Sequence, residues 1–535
     1  MKTVKLSANE EDIKKAAELL LAGEVVAIPT ETVYGLAANA MNKKAVEKIF
    51  KAKGRPQDNP LIVHISNLKQ LETIVSEIGD IQRALIKAFW PGPLTIIFKS
   101  NKSVAENVSA GLDTVAVRMP NNKTILKIIE TANIPLAAPS ANVSGRPSPT
   151  DATDVLYDLD GKISAVVDSG QCKVGVESTV VSVKDDRVKI LRPGIITKQQ
   201  IEEAIKKEVE IDELVYVSPT EESKIISPGV KYKHYSPKAE VFLVDSDFDF
   251  FNELVSTKKN ALAVCFNGEK PKIDFIEYGE YEEDDEKARK LFAILRQADK
   301  RGYSEIYFRL GAKSGKGLAV YNRLLRAAAF KVIKQKNLIV GLTGPTGAGK
   351  SKAAEIFKSE GFDVIDADKI SRRVIEKNLI KIKIFDTFGL DIGANTKQER
   401  QKLADKVFAT KEGVEKLNSI MFPEITAEIE KYIQKKTAFG THKFLIDAAA
   451  LFESGADQLC DFTVSIIAPL KLRTQRIVQR DKITEKQAIS RTHIQLLDEE
   501  YIEKSDFVIK NDKTETELKT EILKIIDKIG GKNGY

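Results

Sequence analysis

The sequence has 535 residues, of which 42% are hydrophobic and 30% are charged. This is the composition of an ordinary globular protein and excludes a fibrous or fully disordered chain. The length exceeds what one hydrophobic core supports, so we expect roughly three domains. The 83 Lys and Arg residues exceed the 77 Asp and Glu residues by only six, which is too small an excess to indicate a nucleic-acid partner.

No apolar run approaches the roughly 20 residues that a membrane helix requires, and residues 1–12 lack the apolar segment of a signal peptide. We therefore expect a cytoplasmic protein without a membrane partner. The three cysteines, Cys172, Cys265 and Cys460, lie far apart with no C-x-x-C pair. The sequence therefore predicts neither a disulfide framework nor a zinc cluster.

The first part of the chain alternates helical and strand patterns. Residues 7–21 predict a helix, and residues 24–29, 60–64, 114–117 and 134–138 predict buried strands. Hydroxyl-bearing residues and a glycine follow the first strand directly, in the segment PTETVYGL. Because α/β folds bind ligands at strand ends, this pattern predicts a binding site.

Further polar segments follow other predicted strands. Residues 51–56 carry three cations, and small hydroxyl, amide and glycine residues recur in 139–150, 168–170, 175–180 and 191–194. Taken singly, a charge run is compatible with a solvated face and each polar segment with turn chemistry. Their recurrence after several strands favours one shared polar pocket, in which three cations suit a phosphate chain.

The motifs PTETVYGL, KAKGRP, FWPGPLT, RMP, PSANVSGRPSPT, GVESTVV and ILRPG occur in this order over the first 205 residues. In order and spacing they resemble the YrdC/Sua5 family, the threonylcarbamoyl-adenylate synthases. The resemblance implies condensation of L-threonine, bicarbonate and ATP to threonylcarbamoyl-AMP and pyrophosphate. This product is the donor for modification of adenosine 37 in tRNA, through separate transfer proteins.

The same resemblance implies which residues contact each substrate. The residues that would contact threonine are Thr32, His64, Arg118, Ala138 and Ser178. Those that would contact ATP are Lys51, Lys53, Arg55, Asn59, Thr114, Ser140, Asn142, Ser148 and Arg192. From its strand alone, His64 is equally compatible with a structural role.

Residues 227–237 form a basic, aromatic segment bounded by Pro and Gly. An exposed connector explains it, but it also resembles the linker of the longer Sua5 branch, which implies that Tyr235 contacts ATP with His234 beside it. Strands at 239–244, 260–266 and 305–308 and helices at 283–300 and 318–334 follow. This part resembles the Sua5 C-terminal domain, and we expect it to have a regulatory or lid-supporting role.

Residues 338–351 place an apolar strand before G-x-x-x-x-G-K-S and a helix. This is the phosphate loop in its strand-to-helix setting. Glycines let backbone N–H groups face a phosphate, Lys350 neutralises the transferring phosphates and Ser351 offers an oxygen to Mg²⁺. Such a strand usually begins its domain, so a boundary is predicted just before Asn337.

Two carboxylates, Asp366 and Asp368, follow the strand predicted at 362–365, and Asp447 ends another at 443–446. Carboxylates beside a phosphate loop bind Mg²⁺ or accept a hydroxyl proton. Further strands are predicted at 464–467 and 506–511. Between them a helix opened by Pro469 carries Arg473, Arg476 and Arg480 on one face, which suits either a solvated face or a lid over a triphosphate.

The motifs GLTGPTGAGKS, VIDADKISR, RQKLADKVF, ALFESGAD, RTQRIVQRD and DFVIKN, with the pair Arg491 and Gln495, resemble dephospho-CoA kinase. The implied reaction moves the ATP γ-phosphate to the 3′-hydroxyl of dephospho-CoA. Residues implied to bind the nucleotide are Gly347, Ala348, Gly349, Lys350, Ser351 and Lys352. Asp368 would be the base, with Asp366 the second choice, and Arg476, Arg480 and Arg491 would stabilise the transferring charge.

Three segments differ from the kinase pattern. Pro345-Thr346 follow Gly344 where the family has Gly-Ile, Phe422 precedes Pro423 where it has His, and Ala449-Ala450 stand where it has Pro-Leu. The first change resembles the loop of tRNA dimethylallyltransferases. That family, however, requires Asp-Ser-x-Gln where this chain has Asp366-Ala367-Asp368-Lys369. A non-catalytic RNA-binding module is the alternative for the first part.

The sequence thus predicts an α/β protein in four segments. These are a twisted YrdC-like domain at 1–205, a linker or lid at 206–238, a small Sua5-type domain at 239–334, and a phosphate-loop kinase domain at 337–535 with a parallel sheet flanked by helices. ATP with Mg²⁺ is expected at both sites, together with L-threonine, bicarbonate and dephospho-CoA.

Overall fold

The computed structural model describes residues 2–217, 235–392, 396–407, 410–437, 440–492 and 497–532. Most of the predicted linker, including His234, therefore lies outside the described residues, as do Gln495 and the side chain of Arg491. The chain forms two compact units, Met1–Lys334 and Gln335–Tyr535. The break falls two residues before the predicted boundary at Asn337. Among the described residues, no helix is both long and apolar enough to cross a membrane.

The first unit begins with one large mixed sheet and its helices. The strands are β1 (Val4–Ser7), β2 (Val26–Ile28), β3 (Gly35–Asn39), β4 (Ile62–His64), β5 (Leu94–Lys99), β6 (Thr114–Arg118), β7 (Leu136–Ala137), β8 (Ala165–Asp168), β9 (Thr179–Lys184), β10 (Arg187–Arg192) and β11 (Val209–Ile211). The helices are α1 (Glu10–Leu21), α2 (Lys43–Lys53), α3 (Leu68–Glu72), α4 (Asp80–Phe89), α5 (Glu106–Ser109), α6 (Lys123–Ala132), α7 (Ala152–Leu159) and α8 (Lys198–Ile205).

The sheet order is β1-β8-β2-β3-β7-β4-β6-β5-β9-β10-β11. β4 and β6 are parallel, with His64 opposite Arg118, and β5 is parallel to β9. The carboxyl ends of β4 and β6 therefore bring two predicted site residues side by side. The sequence pattern did not predict β1. Its four residues are too few for an alternation of apolar and polar side chains to be distinguished from the start of the following helix.

The second sheet of the first unit is fully parallel. Its strands are β12 (Glu240–Asp245), β13 (Ala261–Cys265), β14 (Phe275–Glu277), β15 (Glu305–Arg309) and β16 (Val332–Lys334), in the order β14-β13-β15-β12-β16. Its helices are α9 (Phe248–Ser256), α10 (Asp284–Arg301) and α11 (Gly317–Ala327). Parallel pairing buries both faces of the sheet under helices.

The helix predicted at 318–334 was wrong at its end. α11 stops at Ala327, because Ala329 and Phe330 take left-handed φ values of 48° and 65°. Residues Val332–Lys334 instead form β16 beside β12. The β-branched pair Val332-Ile333 favours this strand, and its pairing with β12 could not be read from local periodicity.

Loops of the large sheet pack into the hydrophobic core of the small domain. Val33 and Val176, from loops of the large sheet, pack in one cluster with Tyr235 and with residues of α10 such as Phe292. Gly175 is close enough to α10 that a Cβ there would lie 2.3 Å from the Cα of Arg289. The small domain therefore packs directly against loops that follow the large sheet.

The second unit is a five-stranded parallel sheet flanked by helices, as predicted. Its strands are β17 (Leu338–Thr343), β18 (Asp363–Asp366), β19 (Lys443–Asp447), β20 (Phe462–Ile467) and β21 (Phe507–Lys510), in the order β18-β19-β17-β20-β21. Its helices are α12 (Lys350–Ser359), α13 (Ala367–Val374), α14 (Asn378–Phe388), α15 (Lys397–Val407), α16 (Lys411–Thr437), α17 (Leu470–Asp481), α18 (Glu485–Thr492), α19 (Asp498–Lys504) and α20 (Glu515–Lys532).

The strand before the phosphate loop, β17, lies at the centre of this sheet between β19 and β20. Two separate hydrophobic clusters cover the sheet. One gathers α13, α14 and α16, and the other gathers α12 and α20. This packing fixes the strand ends that carry the loop and its neighbouring carboxylates.

Candidate active sites

A cavity lies between the loops of the large sheet. Most of the residues that the sequence predicted for the first site line it. These are Thr32, His64, Arg118, Ala138, Ser178, Lys53, Arg55, Ser140, Asn142, Arg192 and Tyr235. The structure therefore brings both predicted groups, the threonine and the ATP contacts, into one cavity.

Arg118, at the end of β6, is the central cation of this cavity and is 3% exposed. Its Nη1 donates to Oγ1 of Thr32 at 2.9 Å, and its Nε donates to the carbonyl of Gly92 at 3.2 Å. Its Nη2 lies 2.6 Å from Oε1 of Glu31. The guanidinium is therefore fixed in orientation, which suits recognition of a carboxylate.

His64 lies beside Arg118 on the neighbouring strand and is 4% exposed. Burial, together with the positive charge of Arg118, lowers the pKa of His64 to about 3. The imidazole is therefore neutral at physiological pH. It can accept or donate a hydrogen bond in the cavity without adding charge.

Ser178 and Arg192 form a second polar wall. Oγ of Ser178 lies 2.8 Å from Oγ1 of Thr95, and Arg192 donates from Nη2 to the same Ser178 oxygen at 3.2 Å. Nε of Arg192 also donates to the carbonyl of Ser178 at 3.2 Å. Two hydroxyls and a guanidinium are thus presented together, as binding of an anionic or hydroxylated ligand requires.

Lys53, at the end of α2, is fully enclosed and holds the loop after β7. Its Nζ donates to the carbonyl oxygens of Ser140 at 2.5 Å and Asn142 at 2.6 Å. Burial lowers the pKa of Lys53 well below its ordinary value. Nδ2 of Asn142 donates to the carbonyl of Arg146 at 2.9 Å, so Lys53 and Asn142 together shape this wall.

Four predicted ATP contacts do not line the cavity. Lys51 is exposed and borders an outer groove with Arg55, and Thr114 begins β6 and pairs with Lys99 of β5. Asn59 and Ser148 are buried behind the cavity wall. Arg55 connects the two environments, since its Nη2 donates to the carbonyls of Asn59 at 3.4 Å and Pro60 at 3.3 Å.

Two buried acids near the cavity were missed as site residues. Glu31 holds Arg118, and Glu177 lines the cavity and accepts a 2.6 Å hydrogen bond from Oγ of Ser148. Both stand within the motifs PTETVYGL and GVESTVV, where an acid beside hydroxyl residues was the available signal. Local sequence gave no partner for either carboxylate, because the arginines they contact are distant in the chain.

Tyr235, the first residue described after residue 217, lines the cavity from the C-terminal end of the predicted linker. It is 5% exposed, and its ring centroid lies 5.2 Å from that of Phe292 in α10. Burial raises the pKa of its hydroxyl. Tyr235 therefore lines the cavity, and its contact with ATP stays a prediction.

In the second unit the phosphate loop runs from Gly344 to Gly349, between β17 and α12. A Cβ at Gly344 would lie 2.1 Å from the carbonyl oxygen of Ile466, and one at Gly349 would lie 2.1 Å from Nδ2 of Asn511. Both glycines have positive φ, at 140° and 105°. Only glycine combines a positive φ with the absence of a Cβ that would clash with these neighbours. The N–H groups of the loop therefore stay accessible to a phosphate.

Lys350, the lysine of the phosphate loop, interacts electrostatically with three carboxylates. Nζ of Lys350 donates to Oδ1 of Asp447, which ends β19. Burial raises the pKa of Asp368, and the charges of Asp366 and Asp447 act in the same direction. Asp366 caps α13 by accepting from the backbone N–H of Lys369 at 2.9 Å. Asp366 is therefore occupied in a cap, and the role of Asp368 as the base stays a prediction.

The predicted arginine face of α17 separates into three environments. Arg476 donates to the carbonyls of Gly347 at 3.4 Å and Ala348 at 3.3 Å in the phosphate loop. Arg473 is buried and lies 3.5 Å from Asp498, whereas Arg480 pairs with the adjacent Asp481 and is largely exposed. Of these three, Arg476 is the one whose guanidinium contacts the loop.

Lys352 faces away from the loop, because its Nζ lies 3.2 Å from Glu355 and 3.0 Å from Glu515. Only its backbone is placed to take part in nucleotide binding. Asn511, just after β21, supports the loop by donating from Nδ2 to the carbonyl of Ala348 at 2.7 Å. Asn511 belongs to the predicted motif DFVIKN and was not assigned a role from sequence.

The fold and the two sites define the class of protein: a transferase with an enclosed cation- and hydroxyl-lined cavity in one unit and a phosphate loop facing a carboxylate in the other. Family models divide the chain in the same way. Residues 18–194 match the model described as Telomere recombination, 196–329 the Threonylcarbamoyl-AMP synthase C-terminal domain, and 338–517 Dephospho-CoA kinase.

Curated relatives agree. Threonylcarbamoyl-AMP synthase of Pyrococcus abyssi is 44% identical over 331 residues, covering 60% of this chain and 95% of the relative. The Bacillus subtilis protein of that name is 42% identical over 340 residues, covering 62% of this chain and 97% of the relative. Dephospho-CoA kinase of Fusobacterium nucleatum is 36% identical over 193 residues, covering 36% of this chain and 98% of the relative.

A solved structure of P. abyssi Sua5 complexed with L-threonine matches with a TM-score of 0.59 and 41% identity, covering 63% of this chain and all of that one. The chain therefore belongs to the Sua5 family of threonylcarbamoyl-AMP synthases over its first unit and to the dephospho-CoA kinase family over its second. It is a bifunctional transferase, and both predicted resemblances are confirmed. The tRNA dimethylallyltransferase and RNA-binding alternatives are not favoured.

Proposed function

We propose that the cavity of the first unit joins L-threonine, bicarbonate and ATP to give threonylcarbamoyl-AMP and pyrophosphate. The observation that carries this proposal is the buried Arg118, bonded to Thr32 and adjacent to neutral His64. This arrangement suits an amino-acid carboxylate and a hydroxyl. The L-threonine bound in the P. abyssi relative supports the same assignment.

The carbamate of threonine is short-lived in water, so the cavity must hold it and exclude solvent. In our proposal a carbamate oxygen attacks the α-phosphorus of ATP and pyrophosphate leaves. The guanidinium of Arg118 binds the threonine carboxylate while Thr32, His64 and Ser178 surround its side chain. Arg192 and Arg55 face the phosphates, and Tyr235 closes the cavity.

We propose that the second unit transfers the ATP γ-phosphate to the 3′-hydroxyl of dephospho-CoA. Backbone N–H groups of residues 347–352 would hold the phosphates, and Lys350 would move from Asp447 to the transferring group. Asp368 would accept the hydroxyl proton, because its raised pKa makes it a better base than Asp366. Arg476, already at the loop, would stabilise the transferring charge.

Mg²⁺ is expected with ATP at both sites. At the phosphate loop the donor set fits, because Ser351 is exposed in the first turn of α12 and the carboxylate of Asp447, which Lys350 contacts, ends the neighbouring strand β19. Phosphate-loop enzymes hold the ion largely through such a hydroxyl and the nucleotide phosphates rather than through a protein cage. When bound, the ion would neutralise phosphate charge. We propose Ser351 as its protein ligand.

The product of the first unit would serve tRNA modification indirectly, because an acyl adenylate is an activated donor that a separate transfer protein must deliver. We therefore propose no direct tRNA contact for this chain. We place both activities in the cytoplasm, where ATP, L-threonine, bicarbonate and dephospho-CoA are available.

The decisive experiment measures both reactions on the intact chain. Pyrophosphate should appear from ATP only when L-threonine and bicarbonate are both present, and ADP should appear only when dephospho-CoA is added. A mixture of dimethylallyl diphosphate and tRNA serves as the control for the rival transferase. Pyrophosphate release from that mixture, with no dephospho-CoA-dependent ADP, would overturn the assignment of the second unit.

A further inference from the structure

The first cavity contains an acid where an anionic substrate has to bind. Glu177 lines the cavity and is 7% exposed. Its Oε1 accepts a hydrogen bond from Oγ of Ser148 at 2.6 Å. Its carboxylate therefore holds Ser148, one of the predicted ATP contacts, in place. An uncompensated carboxylate at this place would repel a triphosphate strongly, because charges interact more strongly in a buried site than in water.

The compensating charge comes from the small domain. Arg323 of α11 is 0% exposed and donates from Nε to Oε2 of Glu177 at 3.0 Å. Its Nη2 donates to the backbone carbonyl of Glu177 at 3.2 Å, and its Nη1 donates to the carbonyl of Pro193. All three guanidinium nitrogens therefore hold the segments that carry Glu177 and Arg192.

Arg323 is not among the residues that line the cavity, so it acts from behind the wall. Burial alone would raise the pKa of Glu177, but the charges of Arg323 and Arg192 and the Ser148 hydrogen bond keep it below its ordinary value. Glu177 is therefore ionised in the folded protein. Arg323 offsets its charge without itself facing the cavity, so its guanidinium stays paired with Glu177 when a substrate binds.

We infer that Arg323 is a positioning residue of the synthase site, neutralising Glu177 and holding it against Ser148 so that the cavity accepts the ATP triphosphate. This gives the small domain a direct part in the reaction, and it rests on the proposed ATP site of the first unit. If Arg323 is lost, we expect the binding of ATP to weaken because of the negative charge that remains on Glu177.

The test compares Arg323→Met, Glu177→Gln and the double variant in the intact chain, measuring KM for ATP and kcat in the threonine-dependent pyrophosphate assay. Arg323→Met should raise KM for ATP roughly 10- to 100-fold, because Glu177 loses its ion-pair partner and Arg192 would have to offset the buried charge without it. Adding Glu177→Gln should recover most of that loss, since the repelling charge is gone. Arg323→Lys should be intermediate, because it keeps the charge but loses the fork of donors.

Arg309→Met is the matched control. It breaks another arginine–glutamate pair of the same domain, between the buried Arg309 and the partly exposed Glu269, and neither residue lines the cavity. Fluorescence of Trp90, the only tryptophan in the sequence, reports whether the first unit is folded. If Arg323→Met does not fold, Arg323→Lys and the double variant still decide the question.

Two outcomes would overturn the inference: a double variant with an ATP KM as high as that of Arg323→Met, or an equal rise in Arg309→Met. A wild-type chain that releases no threonine-dependent pyrophosphate would instead refute the proposed function itself. The two failures are therefore distinguishable.

Discussion

Arg118 and Glu31 form a buried ion pair in the first unit, with Nη2 of the arginine 2.6 Å from Oε1 of the glutamate. The two residues come from the end of β6 and from the loop after β2, separated by more than eighty positions in the sequence. Their side chains are 4% and 8% exposed. Because the pair holds the guanidinium against Thr32, the geometry of the proposed threonine site depends on it.

Arg118→Ala should remove threonine-dependent pyrophosphate release while leaving dephospho-CoA-dependent ADP release unchanged. The substitution deletes the proposed carboxylate contact, and loss of a charged hydrogen bond of about 1.5–3 kcal/mol corresponds to at least roughly a 10-fold drop in activity. Both activities are measured on one preparation, so the kinase serves as the internal control. Wild-type synthase activity in this variant would refute the assigned role.

Lys350→Ala should have the opposite effect. It removes the cation that neutralises the transferring phosphates, so kinase activity should fall below detection while adenylate synthesis persists. The comparison variant is Lys352→Ala, because Lys352 Nζ faces Glu355 and Glu515 rather than the loop. Kinase activity should survive that change nearly intact. Loss of both activities in folded Lys350→Ala protein would contradict two separate active sites.

Asp368→Asn should lower kcat of the kinase reaction by roughly 10²- to 10⁴-fold, the usual contribution of a general base. The isosteric amide keeps the shape of the site and removes only the proton acceptor. Asp366→Asn should have a smaller effect, since Asp366 accepts from the backbone of Lys369 as a helix cap. A larger loss in Asp366→Asn than in Asp368→Asn would exchange the two assignments.

His64 should make the first unit less stable as the pH falls. Its pKa is about 3 in the folded protein, against about 6.5 when unfolded, so between these values the unfolded chain binds one more proton. As the pH decreases below 6.5, the free energy of unfolding should therefore fall by about 1.4 kcal/mol per pH unit. Above pH 6.5 His64 is neutral in both the folded and the unfolded chain, so its stabilising contribution is fully present there and no longer changes with pH. His64→Gln should remove this part of the slope.

The measurement is urea unfolding of the intact chain at pH 5.0, 5.75, 6.5 and 7.5, followed by Trp90 fluorescence. Because Trp90 is the only tryptophan, the signal reports the first unit alone. Identical slopes for wild type and His64→Gln between pH 5.0 and 6.5 would show that His64 does not carry this dependence.

Gly175→Ala should destabilise the first unit more than Gly170→Ala. Both glycines have nearly the same positive φ, 85° and 83°, so both substitutions carry the left-handed strain of about 1–2 kcal/mol. Only at Gly175 would the new Cβ meet backbone of α10, at 2.3 Å from Cα of Arg289, whereas Gly170 has open space. We expect a further loss of about 1–3 kcal/mol from this clash.

Trp90 fluorescence during thermal unfolding measures the difference between the two glycine variants. Equal midpoints would mean that the contact between this loop and α10 adds nothing to stability. Dephospho-CoA-dependent ADP release should be the same in both variants, because the second unit is unaffected.

The sequence was sufficient wherever function follows from local order. The phosphate loop and its helix are contiguous, and glycine, lysine and serine at fixed spacing have one physical use there. The polar segments after β2 and β7 and at the end of β10 were recognisable because strands of an α/β fold end at its ligand site. Motif order therefore predicted the α/β fold of both units and half of the residues that line the first cavity.

Only the tertiary structure decided which charges meet. Glu31 with Arg118, Glu177 with Arg323 and Lys350 with Asp447 are pairs between distant positions, and nothing in local periodicity selects one arginine or acid over another. Lys51 shares the motif KAKGRP with Lys53 and Arg55 but lies outside the cavity, and Thr114 lies outside it although Arg118, at the other end of β6, lines it. Local patterns fix which strand and turn a residue occupies, whereas the direction and partner of its side chain depend on packing between elements far apart in the chain.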